Sequence, residues 1–340
     1  MIIGMAYDLK TEYVFRSGDP KDANAEFDHP LTVGVIRDAL ASLGYQVVSI
    51  GNVQQLLSCL DRLKVDLVFN IAEGRAGRNR EAQVPILLEL RGIPFVGSDG
   101  LTLALTLDKL MTKKVLLGEG IPTPRFFQVE HPRDPAPKDI SFPLIVKPRY
   151  EGSSKGISEK SVVHSTEELR AQSAWIIENY HQPALVEQFI QGTEFTVAIL
   201  GNDPPEALPV VQIQIDGRTE LGELFYTFSR ITAGADYVCP AKIDAALEKR
   251  LQALAIQTYQ AVDCRDFGRV DIRVDREGNP YVLEINPLPS LSTEDVFMVL
   301  AKRLKISYDQ MIGRIVQAAI RRHGLCTVRP EFLEARTGVA

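Results

Sequence analysis

The residues best placed to do chemistry lie in GRVDIRVDREGNPYVLEINP, positions 268–287. Val270, Ile272 and Val274 alternate there with Arg269, Asp271 and Arg273, the period of a strand with one apolar and one polar face. The tetrapeptide REGN reads as a turn. Pairing Asp275 with Pro280 across it sets Asp271 opposite Glu284 and Arg269 opposite Asn286, all on one face. Directly opposed residues have Cβ atoms about 5 Å apart, so two carboxylates there repel by roughly 3 kcal/mol at an effective dielectric near 20. A positive charge is needed between them. Two carboxylates and an amide oxygen are hard donors, suited to Mg²⁺ shared with nucleotide phosphates rather than to zinc, and Arg269 beside them can steady a developing oxyanion. The same spacing also fits a solvent-facing hairpin whose charges are hydrated or paired among Arg269, Asp271 and Arg273.

A second segment, FPLIVKPRYEGSSKGI, puts Lys147 at the end of an apolar strand, followed by Gly152, Ser153, Ser154, Lys155 and Gly156. Amides and hydroxyls in such a loop can cradle phosphates, and the loop equally reads as a plain turn between strands. It lacks the spacing of a Walker A loop and no helix follows it directly. Glu187 in LVEQFI and Glu194 after Gly192 flank a further hairpin.

These segments need a scaffold. The first hundred residues alternate apolar runs with helical patterns: IIGMAY, a helix near 31–43, YQVVSI, a helix near 53–63, DLVFNIA, a helix near 81–91 and IPFVGS, which is a βαβ-type parallel sheet. One helical segment is expected from Leu101 to Leu117, ended by Gly118, Gly120 and the prolines of IPTP. The stretch 131–143, with Pro132, Pro135, Pro137 and Pro143, reads as a surface connection. Paired strands then follow, with a helix opened by a Ser165/Glu168 capping box, a helix near 244–262, the hairpin above and two closing helices. The expected partition is 1–98, 99–183 and 184–340, an α/β chain that becomes α+β in its C-terminal parts.

Bulk properties narrow the function. With 340 residues the chain exceeds the usual single-core size, and 45% hydrophobic residues supply material for several cores. A net charge of -6 gives no general attraction to nucleic acid. Cys59, Cys239, Cys264 and Cys326 are far apart, which suggests neither a zinc site nor a disulfide framework. No run approaches the roughly 20 apolar residues of a membrane span, and the N-terminus lacks a secretory pattern; a cytoplasmic location is the expectation.

In order and at comparable separations, the blocks VFNIAEG, GIPFVGSDGLTLALTLDK, FPLIVKPRYEGSSKGI, VEQFIQGTEFTVAIL, YVCPA and FGRVDIRVDREGNPYVLEINPLPS resemble the ATP-grasp enzymes, and within them the D-alanine:D-alanine ligase-like family. The resemblance covers nearly the whole chain. It implies an ATP-grasp fold behind an N-terminal preATP-grasp domain, and an ATP-dependent ligase that forms an amide through an acyl phosphate. By this resemblance Lys109 and Lys147 meet nucleotide phosphates, Glu187 with the backbone of Gln188, Phe189 and Ile190 holds adenine, and Glu194 holds the ribose. Ser153 and Ser154 lie in a loop closing over the phosphates. Asp271, Glu284 and Asn286 match the Mg²⁺ ligands, with Mn²⁺ as a substitute, and Arg269 matches the stabiliser of the acyl phosphate and tetrahedral intermediate. The resemblance further suggests small amino-acid, carboxylate and amine substrates and a homodimer through the N-terminal region.

The substrate side departs from the family. Glu73 in AEGRAGRNREAQVP stands where the family has histidine, and Arg75, Arg78 and Arg80 crowd its loop, either to hold an acidic group or as a solvated basic loop. In FYTFSRITAGADYVCPA, Ser229 and Arg230 replace a Lys-Tyr pair, Arg230 being the candidate for the lysine's charge. Ser290 takes the place of a glycine whose amide contributes to the oxyanion site. The family's N-terminal glutamate has Glu26 and Asp28 as candidates, and His29 beside them reads as a capping or packing residue. Two readings besides a D-alanine ligase therefore stand at this point: a ligase for another acid and amine, and a nucleotide-binding module without turnover.

Overall fold

A computed structural model describes residues 1–137, 139–227 and 236–325. Ser229, Arg230 and Cys326 lie outside the described residues. Strands β1 (Ile2–Tyr7), β2 (Gln46–Gly51), β3 (Leu67–Ile71) and β4 (Phe95–Val96) form the parallel sheet in the order β2-β1-β3-β4. Helices α1 (Pro30–Ser42), α2 (Val53–Cys59) and α3 (Gln83–Leu90) connect them. All of β3 is buried, as expected of a central parallel strand with both faces covered. His29 is the N-cap of α1, accepting from the Leu31 N–H, which settles its capping role.

The helical segment after β4 is two helices, α4 (Gly100–Leu107) and α5 (Lys109–Gly118), where one was expected. Asp108 breaks it at φ −83° and ψ 89°, a non-helical conformation in which its Oδ1 caps α5 by accepting from the Met111 N–H. The break sets Lys109 at the first position of α5.

Next comes an antiparallel sheet of β5 (Phe126–Val129), β6 (Leu144–Pro148), β7 (Val162–Val163) and β8 (Ala184–Gln188), in the order β5-β8-β6-β7, backed by α6 (Thr166–Tyr180). Ser165 caps α6 through the Glu168 N–H. The Glu168 carboxylate accepts from the His164 N–H rather than from that of Ser165, so the expected box is shifted by one residue on its return arm.

The last sheet joins β9 (Gly192–Leu200), β10 (Glu206–Ala207), β11 (Val211–Gln214), β12 (Asp236–Val238), β13 (Phe267–Asp275) and β14 (Pro280–Asn286). Its order is β12-β11-β9-β13-β14, with β10 on β9. Helix α7 (Ala245–Ala261) covers β9 and β13; α8 (Val296–Leu304) and α9 (Tyr308–Arg322) return to the N-terminal sheet. One hydrophobic core accordingly contains Ile3, Met5, Ile36 and Phe69 of the first sheet and its helix together with Phe267, Phe297, Ile315 and Val316. The closing helices thus tie the chain's two ends together, fixing the first sheet as a wall over the other two. Among the described residues no helix is long and apolar enough to cross a membrane.

The β13–β14 hairpin differs from its expected register near the turn and agrees at the far end. Val274, not Asp275, pairs with Pro280. A bulge at Leu283 absorbs the one-residue slip, so that Asp271 pairs with Glu284 and Arg269 with Asn286. The bulge also lets Leu283 and Glu284, neighbours that would otherwise point to opposite faces, both line the central cavity.

Candidate active site

The three sheets enclose a cavity of about 660 Å³, of the size that takes a small-molecule ligand. Strand alternation presents Arg269, Asp271 and Arg273 from β13 and Glu284 and Asn286 from β14; β6 contributes Lys147, and α5 contributes Lys109. Of the expected site residues described by the structure, Lys109, Lys147, Ser153, Ser154, Glu187, Gln188, Phe189, Ile190, Glu194, Arg269, Asp271, Glu284, Asn286, Ser290, Glu26 and Glu73 all line it.

The hairpin's acidic pair is compensated by cations. Arg269 holds Asp271 through two bonds of 3.1 Å, from Nε and Nη2, and its Nη1 lies 3.6 Å from Asp295, the N-cap of α8. Lys109 Nζ lies 3.1 Å from Glu284 Oε2. Burial works to raise the Glu284 pKa, but Lys109 and Lys147 outweigh it and hold the group down at about 2. Asn286 Oδ1 accepts from the Leu288 N–H, fixing the amide's orientation. The Arg269–Asp271 pairing that the alternative reading allowed is present, but the hairpin's polar face lines the cavity and its charges are paired rather than merely hydrated. Among the described residues no group of three or more His, Cys, Asp or Glu side chains is clustered to hold a metal alone. Two carboxylates and an amide fit an ion whose remaining ligands are phosphate oxygens and water, the habit of Mg²⁺.

Behind the lysines lies a buried ion cluster. Glu187 Oε1 lies 2.9 Å from Lys147 Nζ and 3.3 Å from Lys113 Nζ. Lys113 is 1% exposed, donates to Thr123 Oγ1 at 2.6 Å, and has its pKa lowered to about 8 by burial, against the pull of Glu187. The Glu187 side chain is therefore engaged by two lysines rather than open to a base. Lys113 stands one helical turn from Lys109, a spacing that could have flagged it in the sequence.

Arg273 stacks over the Phe189 ring with its guanidinium carbon 4.6 Å from the centroid, and Phe225 meets the same ring edge-on at 5.7 Å. Its Nη2 donates to the carbonyls of Gly222 and Leu224, and its Nη1 lies 3.6 Å from Glu194. Burial raises the Glu194 carboxyl to about 7, Arg273 opposing.

The glycine-serine loop is stapled to the N-terminal sheet's loops. Glu26 Oε1 accepts from the Gly152 N–H at 2.6 Å and from Arg80 Nη2 at 2.6 Å; its Oε2 accepts from Lys155 Nζ at 3.1 Å. Asp22 accepts from the Gly156 N–H at 2.9 Å. A Cβ on Gly156 would lie 2.5 Å from Pro148 Cγ at a φ of +72°, so only glycine suits that position. Ser153 and Ser154 take left-handed backbone, φ 47° and 54°. Lys155, which also lines the cavity, is paired with Glu26 and Glu151.

Two of the candidate substrate residues are not brought to the cavity. Arg75 packs over the Tyr13 ring and donates to the Val14 carbonyl, and Arg78 donates to Asp108; neither lines the cavity, because each guanidinium is occupied by its own surroundings. Arg80, which carried no separate role, is the buried one. Cavity residues that the sequence reading did not single out include Glu81, Tyr226 and Tyr237, the two tyrosines flanking positions 228–235.

A parallel sheet followed by two antiparallel sheets that close on a cavity of lysines and paired carboxylates is the architecture of an ATP-grasp ligase. The family model described as D-ala D-ala ligase C-terminus matches residues 116–317. An uncharacterized protein of Sinorhizobium fredii is 36% identical over 84% of this chain and 86% of its own length. The D-alanine–D-alanine ligase of Pelotomaculum thermopropionicum is 33% identical over 85% and 91% respectively. Among solved structures, the D-alanine–D-alanine ligase of Bacillus anthracis complexed with ATP superposes with a TM-score of 0.74 over 95% of this chain and 99% of that one, at 24% identity. The chain belongs to the D-alanine:D-alanine ligase family of ATP-dependent ligases.

Proposed function

We propose that this ligase phosphorylates the carboxylate of one amino acid with ATP and joins it to the amine of a second, as its D-alanine-joining relatives are named for doing. The observation that carries this reading is the pairing of Asp271 with Glu284 on the cavity floor, beside Arg269 and within reach of Lys109 and Lys147. Asp271, Glu284 and Asn286 would hold Mg²⁺, or Mn²⁺ in its place. When bound, such an ion neutralises phosphate charge and lowers the barrier to in-line phosphoryl transfer.

The chain's own residues supply the rest. Lys147 and Lys109 carry positive charge toward the transferring phosphoryl group, and Ser153 and Ser154 present hydroxyls from the loop above it. The N–H groups of Gln188 and Phe189 already donate to Arg125 and Pro143, which leaves the Ile190 backbone to meet the base edge, with the Phe189 ring and Arg273 as its packing surface. Glu194 takes the ribose. Arg269, fixed by Asp271 and Asp295, and the Ser290 amide stabilise the oxyanion of the tetrahedral intermediate. Closure against water protects the acyl phosphate, with the loop 150–157 as the candidate to close over it; Arg230, the other candidate there, lies outside the described residues. A homodimer through the N-terminal region belongs to the same proposal; Leu57, Ile86, Leu90 and Leu101 are exposed on its helices or just beyond it.

The test is incubation with ATP, Mg²⁺ and panels of D- and L-amino acids, reading phosphate release and product mass. Dipeptide formed with stoichiometric phosphate supports the reading. Nucleotide binding without phosphate release on any panel contradicts it. Turnover of a pair other than D-alanine with itself would keep the ligase and change only its substrate.

A further inference from the structure

Glu26 and Asp28 are the candidates for the family's N-terminal glutamate, and in this chain the Glu26 carboxylate has three protein donors, Arg80, Lys155 and the Gly152 N–H, and its side chain is 4% exposed. It staples the phosphate loop to the first sheet and has little left to offer an incoming ammonium group. The same corner of the cavity holds further carboxylates, Asp28, Glu73, Glu81 and Glu151, the last of them paired with Lys155. Glu81 is 8% exposed, lines the cavity, and has no hydrogen bond or ion pair with any described residue. It lies within electrostatic reach of Lys109, and so of the phosphoryl end of the site. Burial first, then Glu81 and Glu26, raise Glu73 well above the ordinary range, and burial raises Glu81 to about 7 against the pull of Arg80. A buried carboxylate facing a cavity without a partner is costly unless a ligand completes it.

We propose that Glu81, with Glu73 beside it, receives the ammonium group of the amino-acid substrate, and that Glu26 is a positioning residue for the phosphate loop. The inference rests on the ligase reading above and assigns its amine-recognition site. An ammonium ion offers three donors and a unit charge, which is what two crowded carboxylates lack. The loop EGRAGRNRE, with glutamate at each end, brings both acids to one wall, and its Arg80 holds Glu26 away from the ligand.

The experiment measures binding to the full-length protein saturated with Mg²⁺ and a non-hydrolysable ATP analogue. The probes are the amino acid that binds wild type best from D and L panels, and its analogue carrying hydroxyl in place of the amino group. Glu81→Gln and Glu73→Gln are expected to weaken the amino acid roughly ten- to hundredfold, with the hydroxyl analogue and the nucleotide bound as by wild type. Glu26→Gln is expected instead to weaken the nucleotide. Wild-type affinity for the amino acid in both Glu81→Gln and Glu73→Gln overturns the inference and leaves the ligase standing, as does equal weakening of both probes, the mark of a structural role. A wild-type protein that binds the nucleotide and no amino acid at all overturns both.

Discussion

Lys109 Nζ lies 3.1 Å from Glu284 Oε2, so the lysine expected to meet a nucleotide phosphate and the carboxylate expected to hold a metal are each other's partners in the free chain. The pairing answers the repulsion between Asp271 and Glu284: a protein cation stands beside each acid, Arg269 on one and Lys109 on the other. It also makes the ligand-free site dependent on Lys109 for charge balance. With Lys109→Met, the KM for ATP should rise roughly tenfold or more, and Mg²⁺ alone should stabilise the variant against heat more than it stabilises wild type. Equal Mg²⁺ stabilisation of the two would show that Lys109 does not share that ion's place.

Glu26 gives a pH prediction. Burial tends to raise its pKa, but Arg80, Lys155 and the Gly152 N–H bring it down to about 2. A depressed carboxylate stabilises the fold fully above its unfolded value, near 4.5, and that contribution fades as pH falls toward 2. Acid unfolding of wild type should therefore draw on Glu26 in this window, while Glu26→Gln, leaving Arg80 without its main anion, should lose about 3 to 5 kcal/mol at pH 7. The wild-type advantage, measured by urea unfolding from pH 7 downward, should shrink below pH 4.5. An advantage that stays constant down to pH 2 would contradict the assignment.

Glu187 sits between Lys113 and Lys147, all three nearly out of solvent. Replacing it with glutamine should destabilise the chain by about 3 to 5 kcal/mol, since two buried ammonium groups lose their common anion. Adding Lys113→Met to that variant should recover part of the loss. Urea unfolding of the single and double variants decides it; an unchanged or further weakened double variant would show that Lys113 is not the stranded charge.

Arg75 is exposed and lies outside the cavity. Arg75→Ala should change stability by no more than about 0.5 kcal/mol and leave the KM values for both amino-acid substrates unaltered. A marked rise in either KM would return the loop's arginines to the substrate site.

What was legible in the sequence is what short-range periodicity encodes. Alternation in 268–275 fixed the polar face of the hairpin and hence the Asp271–Glu284 and Arg269–Asn286 pairs, even though the turn was placed one residue out. The error cancelled because Leu283 bulges, and a bulge has no signature in alternation when both its residues can face a cavity. The helix break at Asp108 was missed because GLTLALTLDKLMTKKVLLG keeps helical spacing through it; the break is maintained from outside, by Arg149 and Arg78 on the aspartate. Nor does the sequence show that Glu26 is occupied, since its partners come from two separate loops that only the assembled sheets bring together. Arg75, Arg78 and Arg80 look alike as a basic cluster, and only burial tells the last from the first two.

The acidic pair of the last hairpin, Asp271 and Glu284, is the centre of the proposed chemistry. Phosphate release, measured with ATP, Mg²⁺ and a competent pair of amino acids, should fall on the order of a hundredfold or more in Asp271→Asn and again in Glu284→Gln, with each variant still folded by thermal melting. Turnover at the wild-type rate in both variants would contradict it.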